Sequence, residues 1–499
     1  MFRNQYFVTN FEADVRVDFQ CRIFDDLSVY CSPTLGVSHE RCGNSEVLVL
    51  GYIIDPLNPQ KDNDQVVSSL VNAAGIEDVV RRTQHLSGRY VVLFRNDDIK
   101  IAFSDTLGHR QVYYYVNNRQ LLLTSSPKLF LHVMDFDLKI GDEKRIITES
   151  QEFRRNENAW FGDESIDDRL RKVMPNHYID LNHLQVNRKI FDPLIEGTRE
   201  GIRDLCGNLL AGAINGAVRR CTVMQAVTAG HDSRILLAAS KNYKDKIQYY
   251  IFKRPGMDEN NPDIDIPSKL SKKLNFNFKI LTTKPLRNDF IEVYKPEHIF
   301  PRMLSKTQNL QYHYDHNRQQ GPVMDIKGNG GEVLRFFYGQ SSGGSGHQIS
   351  PQMLMSLAGY PANKYFTHKI EEWLNDARPF ARKHDISIPD LFYWEQRVGN
   401  WGAEHGLELD IAVEEFWPFN NAMLLLNGLK IDGSQRSWPR YAFFIELIEN
   451  LWPEVLSEPI NPKHGYLRKI GSYFNGFIKS NAYYENAAKK LARSFHMKR

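Results

Sequence analysis

The sequence predicts a two-domain protein, a layered α+β half over residues 1–192 followed by an α/β half on a parallel sheet over residues 198–499. Three observations carry that expectation. Up to about residue 190, short runs rich in Val, Ile, Tyr and Phe alternate with Asn/Asp/Gly turns, the pattern of strands joined by hairpins. From Met224 onward, apolar runs alternate with helical periodicities, which points to parallel strands with crossover helices. The 499 residues also give each half enough chain for a core.

In the first half the spacing predicts strands over Glu46–Ile54, Arg89–Arg95, Ile99–Ser104, Gln111–Val116 and Gln120–Ser125. Asn96-Asp97-Asp98 and Asn117-Asn118-Arg119 read as hairpin turns, because Asn and Asp tolerate the left-handed backbone that tight turns need. One helix is expected among them, with Val66, Val67, Leu70, Val71 and Ala74 on one face. A linker is placed at Asp192–Thr198.

The second half opens with an amphipathic helix that turns Ile202, Leu205, Leu209, Ala213 and Ala217 to one side. Strands follow over Met224–Thr228, Ile247–Phe252, Asn277–Leu281 and Val323–Ile326, with helices from Arg234 and over Ile264–Leu274. Ligands of such sheets sit beyond the carboxyl ends of the strands. Three turns fall there: Thr228 to Ser233, Lys253-Arg254-Pro255-Gly256, and Lys327 to Glu332. The first leads from strand to helix through small and hydroxyl residues. It gathers backbone N–H groups and the positive helix end at one point, which suits a phosphate. No G-x-x-x-x-G-K-[ST] occurs in the chain, so this is not the Walker arrangement. The third turn has three glycines in four residues, which permits close backbone approach, and an acid follows them.

The two outer turns, about a hundred residues apart, resemble the S-G-G-x-D-S and G-E-G-[SA]-D-E loops of the asparagine synthetase superfamily. Thr228 stands for the first Ser and Ala229 for the first Gly, while Gly230, Asp232 and Ser233 match. In the later loop Gly328, Gly330 and Gly331 are in place, with Asn329 at the first Glu and Glu332 at the Asp. In the first half, Leu86-Ser87-Gly88-Arg89-Tyr90, Ser104 to Tyr114, Ser125-Ser126-Pro127-Lys128 and Leu170 to Tyr178 are similar to phrases of the amidotransferase domain in that superfamily. The resemblance implies a degenerate class II glutamine amidotransferase-like (Ntn-type) domain, then an ATP-pyrophosphatase (adenine nucleotide alpha hydrolase-like) domain. The family's nucleophilic Cys after Met1 is Phe2 here, and a phenyl ring cannot attack an amide, so no glutaminase is expected.

What the resemblance implies is an AMP-forming amide ligase, nearest in kind to β-lactam synthetases and lasso-peptide cyclases. ATP and Mg²⁺ are the expected cofactors; a carboxylate and an amine acceptor are the expected substrates. Asp232 and Glu332 are the metal-holding pair. Thr228, Ala229, Gly230 and Ser233 meet the pyrophosphate, Gly328 and Gly330 give it backbone room, and Val227, Ile251 and Phe252 flank adenine and ribose. Pro459-Ile460-Asn461-Pro462-Lys463-His464-Gly465 looks like the P-K-x-G phrase of β-lactam synthetase, which makes Lys463 the catalytic cation. Glu404 or His405 is the base for the amine, and Arg234 either adds positive charge at the first loop or points to solvent. Two alternatives stay open, ammonia as the acceptor and nucleotide binding without turnover.

Composition narrows the surroundings. Hydrophobic content of 42% and charged content of 25% are those of an ordinary globular chain, and a net charge of +3 is too small to imply nucleic acid. Five scattered cysteines, none spaced C-x-x-C, fit a reducing cytoplasm. The N-terminal stretch has no apolar core of a signal peptide, and no run of 18 apolar residues suggests a membrane span. A homodimer, or a partner from the same biosynthetic route, is the expected assembly.

Overall fold

A computed structural model describes residues 2–13, 17–192, 197–254, 256–303, 306–317, 323–339, 349–360 and 363–462. Among the described residues the first half holds twelve strands: β1 (Tyr6–Thr9), β2 (Gln20–Phe24), β3 (Leu27–Cys31), β4 (Val37–Cys42), β5 (Ser45–Ile54), β6 (Ser87–Asn96), β7 (Ile99–Ser104), β8 (Tyr113–Asn117), β9 (Gln120–Thr124), β10 (Arg171–Lys172), β11 (His177–Asp180) and β12 (Gln185–Arg188). They form two antiparallel sheets, in the orders β10-β8-β9-β1-β3-β2 and β12-β11-β7-β6-β5-β4. Both hairpin turns are present, with Asp97 and Asn118 at positive φ.

Alternation along the strands explains the layering. Tyr6, Val8 and Val29 of one sheet meet Leu48, Leu50 and Val91 of the other in a shared core. The opposite residues, Val47, Val49 and Val92, turn outward onto Val66, Val67 and Leu70 of the helix Asn63–Leu70. On the far side Phe7 and Leu122 pack on Leu129 and Phe130 of the helix Pro127–Met134. The result is a helix–sheet–sheet–helix stack. The expected helix stops at Leu70, short of Ala74.

The second half carries β13 (Thr222–Ala226), β14 (Ile247–Lys253), β15 (Phe278–Thr282), β16 (Val323–Ile326) and β17 (Glu414–Phe416) in one parallel sheet of order β15-β14-β13-β16-β17. The chain steps outward from β13 to β15, then returns to place β16 on the other side of β13. The order therefore reverses between β13 and β16, and the crevice beyond their carboxyl ends is where this kind of sheet takes ligands. The long helix spans Arg199–Arg220, and the helix after β13 spans His231–Ala239, starting three residues before the expected Arg234.

The halves do not keep separate interiors. Ile147, Phe153, Trp160 and Phe161 from the first half join Phe366, Ile370 and Phe392 from the second in the main core. Buried ions bind them as well: Arg89 pairs with Asp410 at 2.5 Å and Glu414 at 3.1 Å, and Arg110 pairs with Glu414 at 2.6 Å. Among the described residues no helix is long and apolar enough to cross a membrane.

Candidate active site at the strand-order reversal

The turn after β13 closes on itself. Ser233 Oγ accepts from the Thr228 amide at 3.0 Å and lies 2.9 Å from Thr228 Oγ1, which accepts from the Gly230 amide at 3.1 Å. The Ala229 amide donates to Asp263 Oδ1 at 3.1 Å. Thr228, Ala229, Gly230 and Ser233 therefore shape the turn with groups expected to face a ligand. The helix His231–Ala239 begins at Gly230 with no side-chain cap, so its first-turn amides keep the positive helix end toward the crevice.

The turn after β16 lies against that helix end. A Cβ on Gly328 would come 2.9 Å from Asp232 Cβ, and one on Gly331 would come 2.9 Å from Asp232 Oδ1 and 3.1 Å from the Phe419 ring. These glycines are required by close approach. Gly330 sits at φ +87°, a left-handed backbone, with Leu107 of the first half 2.7 Å from where its Cβ would be. The first half thus packs directly on the glycine turn. Asn420 adds to this contact, accepting from the Leu107 amide at 2.8 Å and donating to Gly88 O at 2.7 Å.

The structure brings Asp232 and Glu332 together around one guanidinium. Arg335 lies 3.1 Å from Asp232 Oδ2 and 3.7 Å from Glu332 Oε1. Asp232 Oδ1 and Arg335 Nε are buried without hydrogen-bond partners. Burial pushes the Asp232 carboxyl up; Arg335 opposes this and Glu332 adds to it. Beside them the chain end of the described region is tied to the first turn. The Asn461 amide donates to Ala229 O at 3.0 Å, and its side-chain amide meets His231 Nδ1 at 3.2 Å.

Arg234 takes neither of its two expected places. It is fully buried, and its guanidinium donates to the carbonyls of Val455, Glu458 and Pro459, holding that segment against the turn. Val227 and Phe252 belong to cores on opposite faces of the sheet, and Ile251 on β14 is buried at 7% exposure. Lys463 lies outside the described residues.

Glu404 accepts from Gln111 Nε2 at 3.1 Å and lines a cavity of about 90 Å³ between the halves, with Tyr113, Glu297, Arg302 and Glu408. Phe2 is fully buried behind it, its amide donating to Glu297 at 2.8 Å. His405 packs on Trp401 with its Nε2 unpartnered; burial, then Arg302, Lys306, His109 and Lys327, hold it neutral. Two asparagines after β17 peg the halves together: Asn421 donates to His85 O at 2.6 Å, and Asn420 acts as above.

Two cations of the crevice were not singled out from the sequence. Arg335 follows the glycine turn on a short 3-10 segment, Gly331–Arg335, and carries no periodic signal. Lys327 had one: it stands two residues after Asp325, on the same face of a strand, at its carboxyl end.

No protein-family model and no curated protein matches the chain. Among solved structures it is similar to NMN synthetase from Francisella tularensis, at 11% identity over 39% of this chain and 78% of that one, with a TM-score of 0.20. It is also similar to a glutamine phosphoribosylpyrophosphate amidotransferase from B. subtilis, complexed with ADP and GMP, at 10% identity over 70% of this chain and 74% of that one, with a TM-score of 0.21. Scores this low support neither a fold nor a function, so the geometry of the crevice has to speak for itself.

Proposed function

We propose that the protein is an ATP-dependent, AMP-forming ligase that activates a carboxylate and joins it to an amine, in the biosynthesis of a modified peptide, lactam or similar metabolite. The observation that carries the reading is the meeting of the two turns: Asp232 and Glu332, a hundred residues apart, converge at the strand-order reversal beside an uncapped helix end.

The donor set fits Mg²⁺. Asp232 has a buried oxygen without a partner, and both groups are hard carboxylates. Among the described residues no three His, Cys, Asp or Glu gather as a metal cluster, so an ion here would take its remaining ligands from phosphate and water. Bound by Asp232 and Glu332, it would neutralise the leaving pyrophosphate. The chain supplies the rest. First-turn amides of the helix His231–Ala239 and the Arg335 guanidinium stabilise the charge that builds as a substrate carboxylate displaces pyrophosphate from the α-phosphorus. The amine then attacks the acyl carbon and AMP departs. Glu404 or His405 would take the amine proton: Glu404 already accepts from Gln111, and burial with the nearby cations Arg302 and Lys306 opposes protonation of His405.

One observation favours a second reading. Arg335 already pairs with both carboxylates, so the crevice can bind nucleotide with a guanidinium where the ligase reading needs a metal. Exchange of labelled pyrophosphate into ATP, measured across a panel of amino acids, sugar acids and peptides with Mg²⁺, separates the two. Carboxylate-dependent exchange supports the ligase. Tight ATP binding without exchange for any acid supports the silent protein.

A further inference from the structure

We infer that Lys327 grips the α-phosphate, so that the AMP half of the nucleotide is anchored across the end of β13 while Arg335 serves the pyrophosphate half. This rests on the nucleotide reading above.

Lys327 is the first residue beyond β16, and its amide donates to Phe416 O at 2.9 Å, which fixes where the side chain starts. The register pairs Gln225 with Ile326 and Ala226 with Tyr250. Lys327 therefore stands beside Ala226, and its side chain crosses the end of β13 toward Tyr250 on β14. The ammonium is held on the far side: Nζ lies 2.8 Å from Asp325 Oδ2, donates to the Tyr250 hydroxyl, and sits 4.8 Å from the centre of the Tyr250 ring.

The proton inventory of this cluster leaves one donor over. Tyr250 Oη lies 2.9 Å from both Asp325 oxygens, so its proton goes to Asp325 and its lone pair receives Lys327. An ammonium has three donors, and these two partners use two. Asp325 is 0% exposed, while the Lys327 side chain keeps 20% exposure. His313 Nε2 lies 3.5 Å from the same Asp325 Oδ2, and burial holds it neutral, so it adds no competing cation. Arg335 stands past the glycines of the same turn, with Asp232 and Glu332. A triphosphate lying over the end of β13 thus meets one cation from each end of that turn.

The test is calorimetric titration of the full chain and of Lys327→Met with AMP, and separately with inorganic pyrophosphate plus Mg²⁺. A lost charge-assisted hydrogen bond weakens AMP by about tenfold or more, and pyrophosphate affinity stays within about twofold. Equal AMP affinity in the two proteins overturns the inference while leaving the ligase reading intact. Failure of the unmodified protein to bind ATP or AMP defeats both. Acetylation of the unmodified protein gives an answer that does not depend on the variant folding. AMP should slow modification of Lys327, read by mass spectrometry, and pyrophosphate should not. Absence of protection by AMP again overturns the assignment.

Discussion

The ion cluster between the halves and the pair of turns at the strand-order reversal use the same residue types to opposite ends. At the interface every arm of Arg89 is used: Nε donates to His109 O, and the two terminal nitrogens donate to Asp410 and Glu414. Arg110 is likewise engaged by Arg89 O, Asn4 O and Glu414. In the crevice, Arg335 faces two carboxylates yet leaves Nε unpartnered, and Asp232 leaves one oxygen unpartnered. Buried polar groups carry a free-energy penalty when unmatched. Arg89 and Arg110 spend their donors on the joint, while Arg335 and Asp232 each keep an unmatched atom at the crevice.

The comparison breaks most readily at Arg89. Arg89→Met leaves Asp410 without its guanidinium and Glu414 with Arg110 alone, and the expected loss of stability is about 3–5 kcal/mol, read from urea unfolding. A loss below about 1 kcal/mol would show that the joint contributes little. Next in size is Asp232→Ala, where exchange of pyrophosphate into ATP should fall about 10²–10³-fold. Its melting temperature should hold or rise, because a buried, poorly matched carboxyl is removed. Equal exchange in variant and parent removes Asp232 from the chemistry.

Gly331→Ala sharpens the contrast on a smaller scale. The new methyl meets Asp232 and the Phe419 ring, an overpacking of about 1–3 kcal/mol, and ATP affinity should drop with it. An unchanged affinity would mean that the two turns can part without consequence. The smallest effect is a pH dependence. Burial pushes the Glu415 carboxyl up to about 7, with Lys327 opposing. A folded-state value above the unfolded one gives stability that is fully present below about pH 4.5 and lost as pH rises to about 7. The stability difference between the parent and Glu415→Gln should therefore shrink across that window. A flat difference would contradict the assignment.

How much of this was legible follows from where the signals lie. The β5–β9 hairpins, β14, β16 and the helix after β13 stood out because hydrophobic period and turn residues agree there. The edge strands β2 and β4 escaped because their exposed faces carry Arg22, His39, Glu40 and Arg41. β17 escaped for a different reason: Glu414-Glu415-Phe416 reads as a polar turn, and only Arg89, Arg110 and His109, three hundred residues away, make it a buried strand. The two turns of the crevice were readable from glycines and small residues, since close approach leaves a local trace. Arg335 was not, since a guanidinium reaching across a fold leaves none.

The contact of Leu107 with Gly330 has a consequence for how the chain can be divided. The glycine turn is roofed by a side chain from the other half, so a fragment beginning near residue 198 would present this crevice uncovered. The first half then supplies the wall against which the second turn is shaped.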